Sequence, residues 1–175
     1  MSMKRLNWKV LFAALCMVVS FSACDGDDDK NNEQALLQGT WIVESFPTDN
    51  EALNALCPMV STFINLDQTT FTYTADGKLN IHLVPANGEA SDYAATYALG
   101  DKKLTLQVEA YPLTLDVVSI TEKTMKLETT ISPQMLAILM LTIQEAYPEI
   151  GGMLEGLVGD SLEKGLKITI NQVKK

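Results

Sequence analysis

From Gly39 onward, apolar and polar positions alternate with a period of two in eight separate stretches, the pattern of strands with one buried face. Trp41, Val43 and Ser45 alternate with Thr40, Ile42 and Glu44; Phe71 and Tyr73 with Thr70, Thr72 and Thr74; Leu79, Ile81 and Leu83 with Lys78, Asn80 and His82. The same rhythm returns at Tyr93, Ala95, Tyr97 and Leu99, at Leu104, Leu106 and Val108, and at Leu113, Leu115 and Val117. It closes with Met125, Leu127, Thr129 and Ile131, then Leu166, Ile168 and Ile170. In the sixth stretch Val117 and Val118 are adjacent and Ile120 follows, so the phase slips by one residue, which a β-bulge explains.

Short breaks between these stretches predict an antiparallel meander. Ala75-Asp76-Gly77-Lys78 holds an Asp-Gly pair suited to a type I′ turn, where both central residues take positive φ. Leu99-Gly100-Asp101-Lys102 is a second tight hairpin, with further turns at Tyr111-Pro112 and Thr121-Glu122-Lys123. Eight antiparallel strands with one apolar face each are most stably closed into a barrel, which leaves no exposed edge. An open or two-layer sheet with helices on one face is the alternative.

Three stretches have a helical period instead. Glu33 to Gln38 predicts a short helix before the first strand. Asn50 to Leu66 spaces Leu53, Leu56, Val60 and Phe63 by three and four, a helix that Pro58 kinks or splits. In Ser132 to Lys164, Ser132 reads as an N-cap with Pro133 at the first helical position. Leu136, Leu139, Met140, Ile143 and Tyr147 share a face; Pro148 and Gly151-Gly152 interrupt, and Met153, Leu154, Leu157 and Val158 resume. Residues 135–141 are apolar all round, so this helix needs cover on more than one side, yet the run is too short to cross a bilayer.

The first 23 residues follow another logic. Lys4, Arg5 and Lys9 precede twelve mostly apolar residues from Val10 to Phe21, the form of a secretory signal. The run Phe21-Ser22-Ala23-Cys24 resembles a bacterial lipobox, with Phe21 in place of the usual Leu; the resemblance implies cleavage before Cys24 and lipidation of that cysteine. Asp25, Asp27, Asp28 and Asp29 follow at once and predict a solvated tether. They also resemble the acidic export signal of Bacteroidetes lipoproteins, which implies an outer-membrane protein, lipid-anchored and exposed at the cell surface. The chain is thus expected to divide into a signal peptide (1–23), a lipidated cysteine with its acidic tether (24–33) and one barrel domain (34–175).

Charge and composition narrow the function classes. The net charge of −9 over 175 residues becomes −12 once the three basic residues of the leader are removed, which disfavours a nucleic-acid partner. Neither a disulfide nor a His-based metal site is expected: Cys57 is the one cysteine beyond Cys24 and His82 the one histidine. Cys57 lies in an apolar stretch and is expected to be buried, whereas His82 falls on the polar face of its strand. No Gly-x-Ser-x-Gly elbow, P-loop or Gly-x-Gly-x-x-Gly is present, so neither an enzyme nor a cofactor is expected.

A short helix, then Gly39-Thr40-Trp41 opening the first of eight strands, then a meander and a long helix before the last strand resembles the lipocalin and calycin barrels. With signal, lipobox and tether in front, the whole chain resembles the lipocalin-like lipoproteins of the Bacteroidetes. The resemblance implies that Gly39 lets the chain bend into the barrel and that Trp41 plugs its closed end. Two departures, the helical insertion after strand one and the long helix before strand eight, bear on the usual open mouth. The expected fold is therefore mainly β, an eight-stranded antiparallel lipocalin-like barrel with helical segments in those two places.

The expected interior lining includes Phe71, Tyr73, Tyr93, Tyr97 and Met125, with smaller Ser45, Ala95 and Thr129 among them. Such a lining either fills the barrel or leaves room for one small apolar ligand. The corresponding functions are ligand binding by an envelope lipoprotein, or a filled barrel that docks another envelope protein through its apolar helices.

Overall fold

The computed structural model describes residues 27–175, apart from 56, 109–110, 147–153, 155 and 160. The signal peptide, Cys24 and Asp25 lie outside the described residues, as do Leu56 and Tyr147. Helix α1 (Asp27–Leu37) leads into eight strands: β1 (Gly39–Ser45), β2 (Thr70–Tyr73), β3 (Lys78–Leu83), β4 (Ser91–Gly100), β5 (Lys103–Val108), β6 (Tyr111–Ile120), β7 (Thr124–Ile131) and β8 (Leu166–Lys174). Each pairs antiparallel with its sequence neighbour, and β8 returns to β1, closing the barrel. Between β1 and β2 come a one-turn helix α2 (Glu51–Asn54) and a 3-10 segment (Cys57–Thr62); between β7 and β8 come α3 (Pro133–Ala146) and α4 (Ser161–Lys164).

The alternation of the sequence gives inward and outward faces, with two slips. Between Val117 and Ser119 the expected bulge turns Val118 outward, where it is 48% exposed. A second bulge, between Val43 and Ser45, corrects the sequence reading: Ser45 pairs with Asn171 and accepts a hydrogen bond from its Nδ2 at 2.8 Å. Asn171 stands between inward Ile170 and Gln172, so Ser45 belongs to the outer face and does not line the interior.

The turn chemistry also differs from expectation. Of Asp76 and Gly77 only Gly77 has positive φ (77°), because the β2–β3 connection closes as a longer loop, Thr74 N–H donating to Lys78 O and Gly77 N–H to Thr74 O. The two-residue turn with both φ positive is Asp101-Lys102, at 51° and 57°. Asp76 accepts from Thr74 Oγ1 and pairs with Lys78, and these two contacts, Lys78 first, lower its carboxyl to a pKa of about 2.

Among the helices, α1 begins at Asp27 rather than at Glu33, so residues 27–33 form turns of helix where a loose tether was expected. Pro58 does split the first insertion, α2 ending before the 3-10 segment. Ser132 caps α3 as expected, its Oγ accepting from Met135 N–H.

The connections β1–β2, β3–β4, β5–β6 and β7–β8, the first and last of them carrying the insertions, leave the barrel at one end, here called the mouth. The β2–β3, β4–β5 and β6–β7 turns, α1 and the C-terminus sit at the other. There Trp41 is fully buried, its indole N–H donating to Leu37 O at 2.7 Å, while Lys174 Nζ lies 5.0 Å from the centroid of the indole ring and donates to Leu36 O. A tryptophan is thus clamped between α1 and the last strand and seals this end.

Candidate functional site

Burial inside the barrel is uneven, and the unevenness locates the site. Trp41, Leu79, Leu104 and Leu127 have no surface that water can touch, and Met125, Ile81, Tyr73 and Leu115 have 3% or less. This half of the barrel is filled by its own side chains. The Tyr73 and Tyr97 rings meet edge to face with centroids 5.1 Å apart, and Tyr97 Oη donates to Thr74 O at 2.7 Å. Burial raises the pKa of the Tyr73 phenol, with the neighbouring Tyr97 adding to the effect. Both phenols therefore stay neutral in the physiological range.

Toward the mouth the inward residues Val43, Phe71, Tyr93, Leu113, Ile168 and Ile170 are half-buried, while Leu83 at the mouth end of β3 is 4% exposed; at the sealed end Leu99 and Ile120 are half-buried. One cause is visible in the register: β1 pairs with β2 over Gly39–Trp41 alone, so the two strands part beyond Trp41. We refer to these half-buried apolar residues at the mouth as the vestibule and to the more deeply buried ones below them as the floor. Of the residues expected from sequence to line a ligand site, Phe71 and Tyr93 stand in this vestibule. Tyr73, Tyr97 and Met125 belong to the floor beneath it.

Val43, Leu113, Ile168 and Ile170 complete the vestibule and were not singled out from sequence as ligand residues. The available signal was their inward parity combined with their place near the mouth end of each strand. Met125 lies in the floor, and Met135 is on the face of α3 that packs with Ile131 and Leu166.

A second cluster covers one side of the mouth. Ile131, Leu166 and Ile168, the inward residues at the mouth ends of β7 and β8, pack with Met135, Leu136 and Met140 of α3, with Val158 and Leu162, and with Leu53 of α2. The two insertions are tied to each other by Asn50, which caps α2 through Oδ1 and donates from Nδ2 to Leu157 O (2.9 Å) and Ser161 Oγ (3.1 Å). Residues 47–49 run along the start of β8, Thr169 N–H donating to Pro47 O and Lys167 N–H to Asp49 Oδ1. A polar cleft of about 350 Å³ lies at this junction, lined by Asp49, Asn50, Glu51, Ser161 and Lys164 among others. Its Asp49, Asn50 and Ser161 side chains are already engaged in holding the insertions together.

The remaining candidates for chemistry do not converge. His82 lies on the outer wall with Nδ1 2.7 Å from Asp92 Oδ1. Cys57 is half-buried rather than buried, because it sits on the surface insertion; its Sγ approaches Leu53 O and Phe46 O, and burial raises its thiol pKa. Among the described residues no three His, Cys, Asp or Glu side chains are grouped to hold a metal ion, and no helix is long and apolar enough to cross a membrane.

One polar group stands apart. Gln172 is 4% exposed, on the inward face of β8 opposite Val43 and Met125, and its Oε1 is buried without a hydrogen-bond partner. A buried unpaired acceptor is destabilising. Gln172→Met, close in volume and without that acceptor, is expected to stabilise the domain by about 1 kcal/mol. The check is a rise in the urea midpoint with an unchanged slope; a fall would show that the amide holds the floor together.

No family model matches the chain, and no curated protein matches it. Among solved structures, a lipocalin-like protein from Bacteroides uniformis ATCC 8492 is similar with a TM-score of 0.41 and 13% identity, over 54% of this chain and 90% of that one. The odorant-binding protein of bovine nasal mucosa is similar with a TM-score of 0.40 and 10% identity, over 88% and 77%. A complex of bovine odorant-binding protein with undecanal gives 0.38 and 12%, over 89% and 77%. At these values each is a distant likeness of barrel geometry. In fold, the domain is a barrel of eight antiparallel strands closed in sequence order, plugged at one end by Trp41 and partly covered at the other by two helical insertions.

Proposed function

We propose that this protein is a non-enzymatic, small-molecule-binding lipoprotein of the cell envelope, anchored through Cys24 and displayed at the outer-membrane surface, with the vestibule as its binding site. The observation that carries the binding role is that the apolar side chains facing inward near the mouth are half-buried above a more deeply buried floor. A filled floor limits the ligand to a small molecule or to the end of a longer apolar one. The helices α3 and α4, packed on the mouth ends of β7 and β8, are placed to cover what enters. The lipobox-like run at Cys24 and the acids behind it support the anchor and the address.

The test is displacement of the neutral apolar fluorophore N-phenyl-1-naphthylamine, with native mass spectrometry of gently purified protein to find a retained ligand. Val43→Trp, which fills the vestibule, is expected to weaken probe binding at least about tenfold, a loss of about 1.4 kcal/mol, with the circular dichroism unchanged. Undiminished binding in that variant would move the site elsewhere, and no binding by the wild-type chain would overturn the binding role. Protease shaving of intact cells tests display: protection of the domain until the outer membrane is broken would refute it.

A second reading is favoured by one observation on α3. Ile138 and Leu141, three residues apart and so on one face, are 48% and 63% exposed. In this reading α3 docks another envelope protein. A photo-crosslinker at position 141 should then capture one defined partner in cells, and a chain that always remains uncrosslinked removes the reading.

A further inference from the structure

We infer that the mouth selects its ligand by charge, admitting apolar molecules whose polar end is neutral or cationic and turning away carboxylates and phosphates. The inference rests on the binding role proposed above and adds the chemical class of the ligand.

The described parts of the mouth connections carry six exposed acids: Asp49, Glu51 and Asp67 after β1, Glu89 after β3, Glu145 on α3 and Glu163 on α4. Against them stands one lysine, Lys164. The opposite end holds seven acids, Asp76, Asp101 and Glu122 in its turns and Asp27, Asp28, Asp29 and Glu33 in α1, with Lys30, Lys102, Lys123 and Lys175, a net −3 against −5 at the mouth. The negative charge is therefore greater at the end where a ligand would enter.

Nothing inside the vestibule offsets that field. Its lining, Val43, Phe71, Tyr93, Leu113, Ile168 and Ile170, contains no cation. Lys174 lies at the sealed end, bound to Leu36 O and stacked near Trp41. Lys167, near the rim, is 2.6 Å from Glu128 on the outer wall. An anionic head would thus meet repulsion at the rim and desolvation without a partner further in. A cationic or hydroxyl head can stay among the rim carboxylates while its tail occupies the apolar walls.

The experiment compares three ligands of one chain length, dodecyltrimethylammonium, dodecanol and dodecanoate, each displacing N-phenyl-1-naphthylamine below its micelle concentration at neutral pH. The cation is expected to bind at least about tenfold more tightly than the carboxylate at about 10 mM salt, with the alcohol between, because the Debye length there is about 30 Å. At about 0.5 M salt, where screening acts within a few ångströms, the ratio should fall to about threefold or less. The triple variant Glu89→Lys, Glu145→Lys, Glu163→Lys changes only exposed charges outside the lining and should lose most of the low-salt preference. Dodecanoate binding as tightly as the cation, or a preference indifferent to both salt and the triple variant, would overturn the inference while leaving the vestibule a binding site. Failure of the probe and of all three ligands to bind would instead overturn the binding role on which it rests.

Discussion

Trp41→Ala is expected to destabilise the domain by about 3–5 kcal/mol, the range for emptying a buried large aromatic site. The indole is wholly buried in the floor, so little can collapse into the space it leaves. The same substitution frees Leu37 O of its 2.7 Å hydrogen bond and takes the ring from beneath Lys174. Because a domain of this size is stable by about 5–15 kcal/mol in all, the variant should have a much lower urea midpoint, with α1 the first element to lose amide protection. Trp41→Phe keeps most of the packing and loses the N–H, so it should fall between the two. An alanine variant within about 1 kcal/mol of the wild type would mean that the closed end is held by something other than this plug.

Gly165→Ala is expected to cost about 2–4 kcal/mol, for a reason that concerns backbone rather than packing. Gly165 joins α4 to β8 at φ +85°, where an alanine is strained, and its added Cβ would lie 2.7 Å from the carbonyl oxygen of Ile131. That oxygen belongs to the β7–β8 ladder at the pair Ile131 and Leu166 and has no freedom to swing aside. The comparison is Gly39, the glycine of the Gly-x-Trp motif, at φ +124°. A Cβ there would also meet an atom at 2.7 Å, but the atom is Lys174 Cε, on a flexible side chain. Gly39→Ala should therefore be the milder of the two in urea unfolding, and the reverse order would refute the argument from backbone contact. Chemical shifts of Leu136 and Val158 should move in Gly165→Ala, because the affected pair lies beneath the mouth cluster.

Periodicity along one chain carries some of this architecture and omits the rest for identifiable reasons. The eight strands, the bulge at Val118 and the Ser132 cap each leave a local trace, a parity, a slip or a residue type, and all three are present in the structure. The bulge after Val43 leaves none, because Ser45 continues the alternation in letters while the backbone has turned it outward. Asp76-Gly77 and Asp101-Lys102 show the limit of turn rules: composition favours the first for a two-residue turn, and the register of the flanking strands gives it to the second.

For the candidate site, the inward faces were legible and the depth was not. Parity tells that Phe71, Tyr73, Tyr93, Tyr97 and Met125 face inward, yet it cannot tell floor from vestibule, since that depends on where β1 and β2 part and which side chains meet across the barrel. Gln172 continues the inward series of Leu166, Ile168 and Ile170, but a polar letter at the end of a strand gives no reason to extend it. The greater negative charge at one end is likewise invisible until strand direction assigns each connection to an end.

Closure of the barrel also sets an order on its assembly. β1 finds its second partner in β8, with Trp41 opposite Lys174, so a chain read from its N-terminus has seven strands made before the last can join. Until residues 166–174 arrive, β1 and β7 each present an open edge, a state prone to pairing with other chains. Such a chain is most exposed to aggregation or capture late in its synthesis, and removal of residues 166–174 would lose the seam between first and last strands rather than merely a tail.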